Sequence, residues 1–369
     1  MQEKQTFGNW HVRVADSLLF REPVLSKHWS YDYGVVWNGM AALYELTGNE
    51  KYDQYIKTGV DSFLSSDGRE IRGHILEEYN LDHLNNGKQL LYLFEKTGEE
   101  KYENAIQRLL HQIAHQPRTK EGGFWHKQIY PRQMWLDGLY MCAPFYAGAA
   151  RLYSRDDWFD DVAKQFLLIR EKTRDEKTNL CRHAWDSGCV QPWADPATGR
   201  SKHVWGRAVG WYMCALVDAL DFFPQEHPGR PKLTALLAEM ANAVWKARDP
   251  RTKVWFQVLD APDRPGNYPE SSCSSQCIYA LAKASRLGLL PGFNRAELSD
   301  AYQGAVEQFI QVLNGQAIVT KCCQVAGLGG AQKRDGSFAY YMSEPIIAGD
   351  LKGTGAFIQA AAEVEGYGL

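Results

Sequence analysis

Two kinds of helix alternate along the chain. In the first kind, apolar side chains recur at i, i+3/i+4 and i+7/i+8 and leave one wet face. Tyr52, Tyr55, Ile56, Val60, Phe63 and Leu64 follow that rule, as do Tyr102, Ala105, Ile106, Leu109, Leu110 and Ile113. The same phase returns at Phe159, Val162, Phe166 and Leu167, at Leu233, Leu236, Leu237, Met240 and Val244, and at Leu298, Ala301, Tyr302, Val306, Phe309 and Ile310. The segment Trp10–Phe20 is a weaker sixth case. The second kind is apolar on most faces and rich in small residues: GVVWNGMAALYEL, LDHLNNGKQLLYLFEK, DGLYMCAPFYAGAARLY, RAVGWYMCALVDAL, SSQCIYALAKAS and KGTGAFIQAAAEV. Such helices are buried, and their small residues let neighbours approach closely.

The chain also repeats itself. ALYELTGNEKYDQYI (Ala42 to Ile56) returns as YLFEKTGEEKYENAI (Tyr92 to Ile106), the mark of a reiterated two-helix unit. Gly48 and Gly98 are natural helix terminators, and Asn49 is a good N-cap for the helix that follows. Six buried helices alternating with six amphipathic ones predict an all-α fold, an (α/α)6 barrel with six inner and six outer helices. A single catalytic domain over residues 1–369 is expected, because no linker composition divides the chain. Strand-like stretches are few, at VWFQVL near Val254 and in parts of Ala317–Tyr341.

The connections are unequal. Inner-to-outer turns are short, as in TGNE and TGEE, whereas outer-to-inner connections are long: Ser65–Asn80, Gln116–Leu136, Thr173–Val204, Ala247–Glu270 and Asn314–Asp350. Long loops gathered at one end of a rigid scaffold usually carry function. The N-termini of the inner helices point to that end, and their partial positive charge favours an anionic ligand.

Composition narrows the chemistry. With 41 basic and 44 acidic side chains the net charge is −3, which gives no electrostatic footprint for nucleic acid or an anionic membrane. No run of eighteen apolar residues exists to span a bilayer, and Met1–Phe7 lacks a signal-peptide core. The default location is cytoplasmic, or periplasmic if a leader has been removed. Cys142, Cys181, Cys189, Cys214, Cys273, Cys277, Cys322 and Cys323 form no CxxC pair and no Cys/His zinc spacing. No GxGxxG, P-loop or GxSxG motif is present.

Aromatic residues reach 12% of the chain, including twelve Trp. Nine of them fall in the long connections or on inner helices: Trp29, Trp37, Trp125, Trp135, Trp185, Trp193, Trp205, Trp211 and Trp255. His28, His74, His83, His126, His183 and His203 lie in the same regions. Rings and hydrogen-bonding groups around a cavity suit a sugar, whose C–H faces stack while its hydroxyls need directional partners. Asp137 stands among Trp135, Leu136, Gly138 and Tyr140, a setting expected to raise a carboxyl pKa; a helix cap is the competing reading. Asp82 holds the equivalent position on the preceding inner helix and has the same two readings. Arg207 lies on an apolar helix and requires an anionic partner from the protein or from a ligand. Trp211 is one turn beyond it on the same face.

At these residues the chain resembles the unsaturated rhamnogalacturonyl hydrolases, glycoside hydrolase family 105, which are related to the family 88 unsaturated glucuronyl hydrolases. The resemblance is carried by EGGFWHK, YPRQMWLDGLYM, HAWD, PWADPATG, WGRAVGWY, PESSCSS and YYMSEP with DLKGTGAFI, and runs from about Trp10 to Val364. It implies an (α/α)6 barrel that hydrates a vinyl ether. The implied substrate is a small oligosaccharide ending in a Δ4,5-unsaturated uronic acid, with no metal and no organic cofactor. Asp137 matches the family's catalytic acid/base, and Asp82 its second carboxylate, expected to position water or hydroxyls and to raise the Asp137 pKa. Tyr31, His126, Tyr130, His183, Arg207 and Trp211 match substrate-contacting positions, and Trp135 adjoins them in the motif. Cys273 and Gln128–Ile129 depart from the family pattern near the side where the next sugar would sit. Rhamnose is the expected next sugar, with ulvan, arabinogalactan and glycosaminoglycan fragments as alternatives. A monomer and a dimer fit equally. A sugar epimerase and a non-catalytic carbohydrate-binding protein are the other readings, and the Asp82/Asp137 pair weighs against both.

Overall fold

The computed structural model describes residues 8–368, so the reading of Met1–Phe7 falls outside it. The inner helices are α2 (Tyr31–Thr47), α4 (Gly87–Thr97), α6 (Leu136–Leu152), α8 (Gly206–Leu220), α10 (Ser271–Arg286) and α13 (Leu351–Ala361). Each packs against the next, and α13 returns to α2 to close the ring. The outer helices α1 (Trp10–Arg21), α3 (Glu50–Asp61), α5 (Glu100–His115), α7 (Asp156–Thr173), α9 (Gly229–Lys246) and α11 (Arg295–Phe309) lie outside α13, α2, α4, α6, α8 and α10 respectively. This is the all-α barrel expected from the two helix types.

Burial follows the sequence pattern. Every residue of α8 is buried, whereas α5 buries only the face of Tyr102, Ala105, Ile106, Leu109, Leu110, Gln112 and Ile113. Gly48 and Gly98 end α2 and α4 in the left-handed region, at φ 64° and 66°. Asn49 caps α3 by accepting from the Lys51 amide.

Three short antiparallel pairs sit in the long connections: β1 (Gln133–Trp135) with β2 (Ala184–Asp186), β3 (Ile310–Leu313) with β4 (Gln316–Val319), and β5 (Cys322–Cys323) with β6 (Ile346–Ile347). A six-residue helix, α12 (Phe338–Ser343), belongs to the last connection. The Val254 stretch makes only single bridges, Trp205 to Val258 and Phe256 to Pro269. It is an extended loop whose residues Val254–Leu259 are all buried, packed among neighbouring elements with only these bridges in place of a ladder. The inner helix expected to begin near Leu81 starts at Gly87, preceded by a 3-10 turn, Leu81–Leu84. Asn85 and Asn86 intervene and donate to the Tyr31 and Ser30 carbonyls of the neighbouring helix start.

Ring closure demands close backbone approach. A Cβ on Gly355 would lie 2.7 Å from the Val35 carbonyl carbon and the Val36 nitrogen. Backbone cannot swing aside as a flexible side chain can. Gly355→Ala is therefore expected to destabilise the protein by about 1–2 kcal/mol, overpacking outweighing alanine's better helix propensity. The check is a lower urea midpoint at unchanged slope; an unchanged midpoint would show the ring to be more loosely closed.

Candidate active site

The long connections are laced together by backbone hydrogen bonds at the N-terminal end of the inner helices. The Leu81 amide donates to the His126 carbonyl (3.1 Å), and the His126 amide donates to Gln133 (2.9 Å). Gln133 begins β1, which pairs with β2, and the Leu136 amide donates to His183 (3.1 Å). Segments distant in sequence thus bring Asp82, His126, Trp135, Asp137 and His183 into one cluster.

Asp82 lies in the 3-10 turn. Asn80 caps that turn by accepting from the Asp82 amide, so the Asp82 carboxylate is free of the capping role. It meets Lys127 Nζ at 2.6 Å and lies 3.5 Å from His126 Nε2. Burial pushes its pKa up, but the opposing charge of Lys127, helped by His126, holds the group below the usual carboxylate range. Burial also drives the His126 pKa down to about 4, so that imidazole is neutral at pH 7.

Asp137 lies in the first turn of α6, with Trp135 at the cap position and no side-chain cap there. The capping reading is therefore excluded for Asp137 too. Its Oδ2 is buried, lies 3.3 Å from His183 Nε2, and is not aligned with it as a hydrogen bond. Among the described residues no Lys or Arg pairs with Asp137. The next residue explains how α6 reaches the 3-10 turn: a Cβ on Gly138 would sit 2.9 Å from Leu81 Cδ1 and 3.2 Å from His126 Nδ1.

An aromatic wall joins the two acids. The Trp135 ring stacks with His126 at 4.7 Å and with Tyr130 at 4.9 Å, and meets His183 edge-on at 5.5 Å. His183 packs on Trp205 at 4.6 Å, and the Arg207 guanidinium lies over Trp205 at 4.8 Å. Arg207 is almost fully buried; Nη1 donates to the Cys323 carbonyl and to Ser272 Oγ, with Glu270 at 4.0 Å, while Nε has no partner among the described residues. Glu270 is itself occupied by the Cys273 and Cys323 amides. Arg207 is thus held by one end only. Tyr31 opens α2 and packs edge-on to Trp211 at 6.2 Å. Burial raises its hydroxyl pKa well above the tyrosine range, with Arg207 pulling it down and Asp82 and Asp137 adding to the rise. Tyr31 therefore lies within electrostatic reach of Arg207, Asp82 and Asp137.

The tryptophans behave differently from the expected binding surface. Eight of the nine, all but Trp125, are no more than 6% exposed. Several of their indole N–H groups brace neighbouring segments: Trp29 donates to the His83 carbonyl, Trp185 to the Thr198 carbonyl, Trp205 to the Gln257 side-chain oxygen and Trp255 to the Val244 carbonyl of α9. Trp211 is 1% exposed and packs on Tyr140 at 4.3 Å, as a floor below the mouth. Lys127 and Tyr341 are the residues that sequence reasoning missed. Both lie inside motif runs, EGGFWHK and YYMSEP, whose chemistry was credited to their neighbours.

All eight cysteines are free. Among the described residues no three His, Cys, Asp or Glu side chains gather as a metal ligand set, and no helix is long and apolar enough to cross a membrane. A separate cavity of about 620 Å³ opens at the C-terminal end of the inner helices. Lys283 there pairs with Asp218 and Asp221, and Arg286 with Glu363, whereas the buried Lys88 ammonium has no hydrogen-bond partner among the described residues and lies over the Tyr140 ring.

The Asp82–Lys127 pair yields a pH test. A carboxylate with a depressed folded pKa contributes stability above its unfolded value, and loses it as pH falls through the folded value. In Lys127→Met, burial acts on Asp82 with less opposition, so its pKa rises and acid favours the folded variant. The variant is expected to lose about 1–3 kcal/mol at pH 7, less than a fully dry pair would because both side chains stay partly wet. The gap to wild type should narrow by pH 4.5 in urea denaturation; a gap that widens in acid contradicts the pairing.

Comparison with known proteins places the family and the fold. The profile of Glycosyl Hydrolase Family 88 matches residues 9–367. The structure of a family 105 glycoside hydrolase from C. acetobutylicum ATCC 824 overlays with a TM-score of 0.93 at 46% identity, covering 96% of this chain and 98% of that one. The unsaturated rhamnogalacturonyl hydrolase YesR of Bacillus subtilis (strain 168) is 30% identical over 280 residues, 74% of this chain and 76% of its own length. The unsaturated glucuronyl hydrolase of Bacillus sp. GL1 overlays with a TM-score of 0.68 over 96% of this chain and 95% of that one; at 15% identity the likeness is one of fold. The chain belongs to Glycosyl Hydrolase Family 88, as a relative of the family 105 hydrolases whose motifs its sequence carries.

Proposed function

We propose that this chain works as one catalytic barrel that removes a Δ4,5-unsaturated uronic acid from the non-reducing end of lyase-generated oligosaccharides. The observation that carries the reading is the contrast between two clustered carboxyl groups. Asp82 is held ionised by Lys127, whereas Asp137 has no Lys or Arg partner among the described residues. Such a division suits one carboxylate to hold water or hydroxyls and the other to carry a proton.

In this reading Asp137 protonates C4 of the C4=C5 vinyl ether. Water then adds at C5, with Asp137 taking up its proton, and the hemiketal collapses to a free sugar and a 5-keto-4-deoxyuronate. Arg207 meets the uronate carboxylate through the side of its guanidinium that the protein leaves unpaired. Tyr31 and the Tyr130–Trp135–His126 wall contact the sugars, with Trp211 beneath them and His183 beside the acid. The residues present need no metal or organic cofactor for these steps. The similarity to YesR favours rhamnose as the next sugar, so an unsaturated uronyl-rhamnose disaccharide is the preferred substrate.

The assay is loss of the conjugated double bond's ultraviolet absorbance on unsaturated disaccharides with different reducing-end sugars. Asp137→Asn should lower the rate by ~10²–10⁴, the range for loss of a general acid/base. In heavy water, deuterium should appear at C4. A folded Asp137→Asn protein of near wild-type activity would sink the assignment.

A further inference from the structure

Tyr341 reaches the cluster from the far end of the chain. It lies on α12, whose first turn is capped by Ser337 accepting from the Tyr340 amide. Its ring is fully buried and stacks with Trp205 at 6.2 Å, and its carbonyl accepts from Gln257. The Tyr341 hydroxyl lies 2.8 Å from His183 Nδ1, its only hydrogen-bond partner among the described residues. On the other side of the same imidazole, Nε2 faces the buried Asp137 Oδ2 at 3.3 Å. His183 is itself fully buried and its backbone is pinned by the Leu136 amide. A line of three side chains, Tyr341–His183–Asp137, therefore ends on the proposed acid.

We propose that Tyr341 is a positioning residue that fixes the tautomer of His183 and, through it, the orientation of the Asp137 carboxyl group. The hydroxyl proton has one acceptor in reach, so Tyr341 donates to Nδ1. Nδ1 of the neutral imidazole is then an acceptor, and its single proton resides on Nε2. An Nε2–H group facing Oδ2 becomes a hydrogen bond after a small adjustment, as bonds around unliganded active sites commonly do when substrate binds. Oδ2 is thereby anchored, and the exposed Oδ1 side is left to exchange a proton with substrate. The opposite tautomer would set a lone pair against the Oδ2 lone pairs and turn the carboxyl away. Burial raises the Tyr341 pKa well above the tyrosine range, so the donor keeps its proton across the working pH range. The last long connection thus acts on the acid without touching substrate. The inference rests on the proposed role of Asp137.

The test is Tyr341→Phe, which keeps the buried ring and removes only the hydroxyl. The expected result is a kcat lowered ~10–100-fold with KM changed less than about twofold, the split expected when an interaction serves the transition state alone. In ¹⁵N NMR of the wild type, His183 should show protonated Nε2 and unprotonated Nδ1, and the variant should lose that single pattern. His183→Asn combined with Tyr341→Phe should be no slower than His183→Asn alone, because the hydroxyl acts through the ring. The inference is overturned if wild type turns over substrate while Tyr341→Phe keeps its kcat, or if wild-type His183 carries its proton on Nδ1. If wild type turns over no unsaturated uronyl substrate, the proposed function fails instead, and the NMR pattern still decides the tautomer.

Discussion

The barrel depends on how closely its inner helices can approach. Six helices that bury nearly every face can form a ring only if some residues bring no side chain to the contact. At the closure of α13 on α2, Gly355 lies directly against the backbone of Val35 and Val36. Once the ring is closed, direction is fixed for everything else. All inner helices run the same way, so every long connection returns to the same end, and the N-terminal helix dipoles point there together.

What converts neighbouring loops into a site is backbone hydrogen bonding between them. Leu81, His126, Gln133, Leu136 and His183 are linked through main-chain groups and the β1–β2 pair, which leaves the side chains free. Buried indoles reinforce this lacing, Trp29 and Trp185 by donating to the His83 and Thr198 carbonyls and Trp205 by donating to the Gln257 side chain. Positions fixed in that way hold functional groups more tightly than loops alone would. The cost is a large share of the tryptophan content, used to support the mouth from behind.

The two acids illustrate how position divides chemically identical groups. Asp82 sits in a turn beside Lys127, and that charge overcomes the desolvation that would otherwise protonate it. Asp137 stands in the first turn of α6 with a histidine beside it and no Lys or Arg partner among the described residues. Gly138 makes the two environments adjacent by letting α6 approach the 3-10 turn. Neither carboxylate caps its helix: Asn80 takes that role for Asp82, and no side chain does for Asp137.

Periodicity alone was enough for the all-α ring, because a helix buried on all sides and a helix with one wet face differ at every turn of sequence. The terminators Gly48 and Gly98, the Asn49 cap and the gathering of long loops at one end were equally legible, since each depends on local chain geometry. Asp82, His126, Asp137, His183 and Arg207 were also identifiable, by residue type and motif. The start of α4 was not, because Asn85 and Asn86 break the helix to bond a neighbouring helix absent from the local pattern. Nor was the burial of the tryptophans, because aromatic residues that line a cavity and those that brace its wall look alike in sequence. Lys127 and Tyr341 became visible only in three dimensions. The charge balance of Asp82 and the line from Tyr341 to Asp137 join residues 45 and 204 positions apart, and only chain folding sets such distances. The sequence determined which elements form and which chemical groups they carry; the tertiary structure decided which groups face one another, because pairing at a few ångströms is a property of packed surfaces.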